Sequence, residues 1–356
     1  MKKIVGILAA AAVAASAFAA DVSAATKLSG SLFSYNADKT FGMFTERNDS
    51  HDYAQPNMTF SVSDDRAGAT VKLTTNNYGG DSNGVVLTTQ TIWFKPFDAL
   101  KVTVGNFDVA LNKETIDYTE SKTALGGNGF LASVNVEGFG LDLGLSGHEG
   151  NWFEKKDGVT DPAIRQFFVK AGYSADFGNI GAFVSFNDDV TDSNGNNLIY
   201  GATSKATGAI KRIKFGAGYA NSFDGINMFV NVVGYMGDKF DWVRPEVFVK
   251  GSVEDFGFAV FAAPVIFTNS DLNYKTQLEV VAKLTYQIDA VTAYAYFKDG
   301  NIMADKFVST IKLGAQGSIG AMGWNIWAQI DTNSLNTAKT DTATAFSVPF
   351  ELTFAF

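Results

Sequence analysis

Along most of its length the chain switches between apolar and polar residues at every second position. Met58, Phe60 and Val62 interleave with Asn57, Thr59 and Ser61, and Ala69, Val71 and Leu73 interleave with Thr70, Lys72 and Thr74. Further on, Ile213, Phe215, Ala217 and Tyr219 oppose Arg212, Lys214 and Gly216, and Leu278, Val280, Ala282, Leu284 and Tyr286 oppose Gln277, Glu279 and Lys283. A period of two sends the two sets to opposite faces of a strand. In each case the mid-strand lysines fall on the polar parity. A Lys or Arg on a lipid-facing strand position costs about 2–4 kcal/mol at the bilayer midplane. The pattern therefore predicts strands with one face in lipid and the other in water.

Short turn-forming segments punctuate these strands at 64–68, 96–100, 137–140, 175–179, 221–225, 254–257, 287–289 and 318–321, most combining Gly or Asp with a large apolar residue. Long polar connections lie between them at 36–56, 76–84, 108–129, 147–163, 187–210, 237–241, 268–273, 299–305 and 331–344. Nine long loops alternating with eight short turns predict eighteen strands, with both chain ends on the short-turn side. The first strand is assigned to 27–35, and the width of the 187–210 connection leaves sixteen strands as the alternative. A soluble sandwich also alternates, but the segments here share the length of about 9–11 residues that a bilayer-crossing strand needs. Phe139, Phe177, Phe223 and Phe256 fall at turns, where an aromatic girdle would lie.

The last stretch carries the pattern furthest. Phe346, Val348, Phe350, Leu352, Phe354 and Phe356 alternate with Ser347, Pro349, Glu351 and Thr353, and the chain ends on an aromatic. This stretch resembles the assembly signal of bacterial outer-membrane β-barrel proteins, in particular general porins, with Phe350, Leu352, Phe354 and Phe356 as its alternating residues. Pro349 departs from that pattern, because it removes a ladder donor in mid-strand, and it predicts a local bulge. The resemblance implies an all-β, transmembrane antiparallel β-barrel with short periplasmic turns and long extracellular loops, placed in the cell outer membrane. It also implies outer-membrane lipid and the barrel-assembly machinery as partners, and a homotrimer. In general porins the third loop folds into the barrel and narrows it with carboxylates facing a basic wall. Matched by order along the chain, Asp108, Glu114, Asp117 and Glu120 would supply those carboxylates. The Pro-Glu-Phe-Gly-Gly sequence of that loop is absent and only Gly126-Gly127 resembles it, so an ordinary external acidic loop is the alternative.

The amino terminus is consistent with export. Lys2 and Lys3 precede an apolar run from Ile4 to Ala19, and small residues close it, so residues 1–19 read as a signal peptide with cleavage as late as Ala24. Residues 20–356 then form a single barrel domain. After the leader no apolar run reaches helix length, so a membrane would be crossed by strands. The chain has no Cys, which leaves stability to packing and backbone pairing. Its net charge of -9 argues against a nucleic-acid partner.

No catalytic constellation stands out. His51 and His148 both fall in polar loops, no phosphate-cradling or nucleophile-elbow sequence is present, and no cofactor or metal is implied. By parity the inward positions include Lys170, Arg212, Lys214, Arg244, Lys250, Lys283 and Lys312, against fewer acids, Asp142, Glu246, Glu279 and Glu351. Phe248 and Trp327 share that parity. Opposed charges across a narrow aqueous bore would sort small solutes by size, dipole and charge. The expected function is therefore a porin, a channel for passive diffusion of small hydrophilic solutes and ions. The alternative is a non-conducting structural or adhesin barrel that presents its loops, and an outer-membrane enzyme ranks third.

Overall fold

The computed structural model describes residues 21–45, 57–76, 84–112, 116, 123–147, 166–191, 205–237, 239–270, 275–304, 309–335 and 342–355. Among them are nineteen strands in one sheet and no α-helix. The strands are β1 (Asp21–Tyr35), β2 (Phe41–Thr45), β3 (Asn57–Ser63), β4 (Ala67–Asn76), β5 (Gly84–Phe97), β6 (Leu100–Val109), β7 (Leu125–Val136), β8 (Phe139–Gly147), β9 (Gln166–Ala175) and β10 (Gly178–Thr191). They continue with β11 (Lys205–Phe223), β12 (Ile226–Met236), β13 (Phe240–Val253), β14 (Phe256–Phe267), β15 (Gln277–Ile288), β16 (Val291–Asp299), β17 (Ser309–Ile319), β18 (Met322–Leu335) and β19 (Thr342–Ala355).

The strands group into two compact units. One holds Met1–Ile92, Lys250–Phe261 and Gln277–Phe356, and the other holds Trp93–Val249 and Ala262–Thr276. In the first unit β15 to β19 pair consecutively and antiparallel. β19 then pairs with β1, so the two ends of the chain lie side by side. β1 is longer than the 27–35 assigned from sequence. Its first half, Asp21 to Lys27, pairs with β3, and its second half, Ser31 to Tyr35, pairs with β2. β2 and β3 thus occupy one edge of β1 in tandem, as two pieces of a single strand position. Nineteen strands therefore fill eighteen positions, the number read from the alternation of turns and loops.

The irregularity expected at Pro349 is present. Ser31 stands opposite Pro349 and Ser34 opposite Ser347, so β1 carries one residue more than β19 across that step. A proline offers no N–H to the ladder, and a bulge on the partner strand absorbs the missing bond.

In the second unit β6 to β12 form a continuous antiparallel meander. Every one of the eight predicted short turns joins consecutive strands. Two have a residue pair with positive φ, Glu137 (46°) with Gly138 (83°) and Asp224 (46°) with Gly225 (80°). That is the backbone whose twist matches a two-residue hairpin, and glycine adopts it without a Cβ clash. At 64–66 the turn is closed by the Asp64 side chain, whose Oδ1 accepts from the N–H groups of Arg66 and Ala67, both at 2.7 Å. These two bonds hold the Asp64 carboxyl below its ordinary pKa. The cap is present above the ordinary carboxylate range and is lost as pH falls through the lowered value.

Candidate functional site

The faces of the strands are inverted relative to a water-soluble sheet. In the first unit Leu313 is 62% exposed while its neighbour Lys312 is 6% exposed. Leu284, beside Lys283, is 46% exposed, and Ile311, Ile326 and Ile330 are exposed as well. In the second unit Val230, Val232 and Val247 are exposed, whereas Asn231, Arg244 and Glu246 on the other parity are buried. Large apolar groups exposed in alternation with buried charges are the reverse of what water selects. The parities agree with those read from the sequence.

In the second unit the buried face carries a polar chain that reaches the segment between β6 and β7. Arg244 Nε donates to Glu246 Oε1 at 3.1 Å, and the two side chains are 1% and 0% exposed. Asn231 Nδ2 donates to Glu246 Oε2 at 3.3 Å and to the carbonyl of Asn112 at 3.3 Å. Asn112 Nδ2 returns a bond to Asn231 Oδ1 at 2.8 Å. Gly218 makes this possible, since a Cβ there would overlap Asn231 Oδ1 and stand 2.8 Å from Asn112 Nδ2. At the other end of the segment Lys214 Nζ donates to the carbonyl of Ala124 at 2.8 Å. Ile116 and Thr123 are buried, and Leu125 joins Phe107, Phe168, Phe183 and Trp242 in an apolar cluster against which Leu111 packs. Both ends of the segment are therefore bonded to the covered face.

Asp108 sits within β6, exposed and opposite Gly126, ahead of this segment. Glu114, Asp117 and Glu120 lie outside the described residues, as do His51, His148 and Phe356. Of the basic residues, Lys170 donates to Asp142 at 2.9 Å across the β8–β9 pair. Arg212 lies 5.5 Å from the Tyr235 ring, and Lys214 5.7 Å from that of Phe183. In the first unit Lys250 is exposed, Lys283 stands 4.9 Å over Tyr294, and Lys312 stands 4.7 Å over Tyr296 and 5.5 Å over Trp327. Phe350, Leu352 and Phe354 lie along β19.

Each of the four inward acids has a base beside it. Besides the two pairs above, Glu351 meets Lys27 at 2.8 Å and Glu279 meets Lys298 at 4.0 Å. Lys170 and Arg244 are therefore balanced locally, and Lys283 and Lys312 rest on ring faces that attract cations. Parity in the sequence gives the bases and the acids separately, without saying which of them meet. Phe248 and Trp327 act as packing groups here: Phe248 stacks on Phe229 at 5.1 Å, and Trp327 Nε1 donates to Gln329 Oε1 at 3.0 Å. No group of three or more metal-ligating side chains occurs among the described residues.

Beside the anchored segment the second unit lines an open cleft of about 530 Å³ at the ends of β9 to β12. Its lining includes Asn112, Asn179, Asn221, Asn227, Asp176 and Phe229. Asn112 faces both this cleft and the buried polar chain.

No protein-family model matches the sequence, and no curated protein matches it. Solved structures do. The outer membrane protein OpdK of Pseudomonas aeruginosa superposes with a TM-score of 0.58 at 8% identity, over 94% of this chain and 98% of that one. OccD3 (OpdP) of the same organism gives 0.56 at 11% identity, over 95% and 91% of the two chains. OccAB4 of Acinetobacter baumannii gives 0.54 at 8% identity, over 94% and 98%. The chain thus has the fold of these proteins, a transmembrane antiparallel β-barrel, and the apolar exposed face with its buried charged counterpart is what that fold requires.

Proposed function

We propose that this protein is an outer-membrane porin, a water-filled channel for passive diffusion of small hydrophilic solutes and ions. The observation that carries the reading is the burial of charged and amide side chains on one face of strands whose other face exposes large apolar groups. A barrel with that polarity is stable only with lipid outside and a polar interior. The same proposal makes the protein a channel and not an enzyme, resident in the bacterial outer membrane. Phe350, Leu352, Phe354 and Phe356 present it to the barrel-assembly machinery, and the channel assembles as a homotrimer. Its leader is removed after Ala19. Pairing of Asp21 to Ala24 with Phe60 to Ser63 supports that position, because cleavage after Ala24 would delete a stretch of ladder.

Asp108, just ahead of the β6–β7 segment, and Glu114, Asp117 and Glu120 within it narrow the channel. In support, that segment is bonded near one end through Asn112 and at the other through Ala124 to the covered face. Purified, refolded protein in a planar bilayer gives stepwise ion conductance, whereas a silent barrel favours a structural or adhesin role. Replacing Glu114 by Gln and Asp117 by Asn removes two negative charges from the constriction and shifts the reversal potential in a salt gradient toward anion preference. An unchanged reversal potential rules out the constriction.

A further inference from the structure

The lining of the cleft at the ends of β9 to β12 differs from the rest of the covered face. Elsewhere that face carries the ion pairs Lys170–Asp142 and Arg244–Glu246, but here the polar groups are amides and the Ser222 hydroxyl, and Asp176 is the one ionisable side chain among the described lining residues. Asn112, Asn179, Asn221 and Asn227 come from four different parts of the fold and converge on one space. An amide offers both donors and an acceptor, the complement of a hydroxyl, which also gives and accepts. An anion held there would lie among amides with no opposite charge beside it among the described lining residues, which costs desolvation free energy.

Two of the amides are positioned by other bonds. Asn221 Nδ2 donates to the carbonyl of Phe177 at 2.9 Å and to Tyr219 Oη at 2.7 Å, and Asn112 is held by Asn231. Two others retain capacity. Asn227 Oδ1 accepts from Ser222 Oγ, but among the described residues neither its Nδ2 nor the side chain of Asn179 has a hydrogen-bond partner. Met228 and Phe229 supply apolar surface at the same place. A volume of about 530 Å³ lies within the range of about 300–1,000 Å³ of small-molecule sites.

We propose that this cleft is a binding subsite for neutral polyhydroxylated solutes of mono- to disaccharide size, on the path through the channel. The assignment rests on the channel reading above and names the solute class that the channel retains. Asn179 and Asn227 hydrogen-bond the solute hydroxyls, Asn221 and Asn112 shape the walls, and no base stands among the described lining residues, which disfavours anions.

The test is current block of the full-length refolded channel in a planar bilayer, with sucrose as the probe and gluconate and glucosamine as charged comparators. Sucrose is expected to block the current in a saturable way, more strongly than either comparator. Asn179→Ala is expected to raise the sucrose blocking constant about fivefold, the effect of one lost neutral hydrogen bond. Asn227→Ala, at a different strand end, does the same and covers the case in which the first variant fails to fold. A conducting channel that ignores sucrose overturns the subsite and leaves the channel reading standing, as does block unaffected by both substitutions. Stronger block by glucosamine that disappears in Asp176→Asn overturns the neutral assignment in favour of a cation site. A bilayer with no conductance removes the channel and the subsite together.

Discussion

Glu246→Leu is expected to lower the unfolding free energy by about 3–5 kcal/mol, the cost of breaking a buried ion pair by removing one partner. Arg244 and Glu246 are 1% and 0% exposed, so the substitution leaves a guanidinium in the interior without the carboxylate 3.1 Å away. The damage also spreads, because Glu246 accepts from Asn231 and Asn231 holds Asn112. Urea unfolding of the detergent-folded protein, followed by tryptophan fluorescence, measures the loss. Combining Glu246→Leu with Arg244→Met restores most of it, since apolar groups of similar volume often replace a buried pair at little cost. A single variant as stable as the parent shows that the pair is hydrated and that the covered face is not closed at this place.

Leu284→Arg is expected to abolish assembly into the outer membrane, while Lys283→Glu assembles normally and shifts selectivity toward cations. The two positions are adjacent on β15, and they differ in the face they occupy: Leu284 is 46% exposed on the apolar side, and Lys283 lies over Tyr294 on the other. An arginine on the lipid side costs about 2–4 kcal/mol near the bilayer centre. That cost is a large fraction of a typical folding free energy of about 5–15 kcal/mol. Heat-modifiable electrophoretic mobility of the membrane fraction reads assembly, and the reversal potential reads selectivity. Equal effects from both substitutions contradict the assignment of faces.

Much of the fold was legible because its signals are local. Gly138 and Asp224-Gly225 advertise their turns, since the hairpin needs positive φ and Gly and Asp adopt it more readily than most residues. The faces of β15 and β17 follow from parity alone, because a lysine such as Lys312 settles which side is wet. Pro349 announced its bulge by lacking a donor. The start of β1 was not legible: Asp21 to Ala24 are mostly small residues next to an apolar leader, and nothing distinguishes them from a cleavage region. The separate strand β2 was also missed, since Phe41 and Met43 sit within a long polar connection and present too few alternations to stand out.

The site was less legible, for a different reason. Asn112 and Asn231 are 119 positions apart, and an amide pair has no period or spacing that marks it in advance. Arg244 and Glu246 did leave a signal, opposite charges two apart on the inward parity of one strand, which in β geometry places them side by side. Their mutual neutralisation, and that of Lys170 by Asp142, means that the covered face is less electropositive than a count of its bases suggests.

The chain contains no cysteine, so single reporters can be introduced without background. The most direct measurement of the central claim is labelling of Lys283→Cys and Leu284→Cys, one at a time, by a membrane-impermeant maleimide in intact outer membranes. A polar interior open to water with lipid around it predicts rapid labelling at position 283 and protection at position 284 until detergent is added. Equal labelling at both positions, or protection at 283 with labelling at 284, contradicts it.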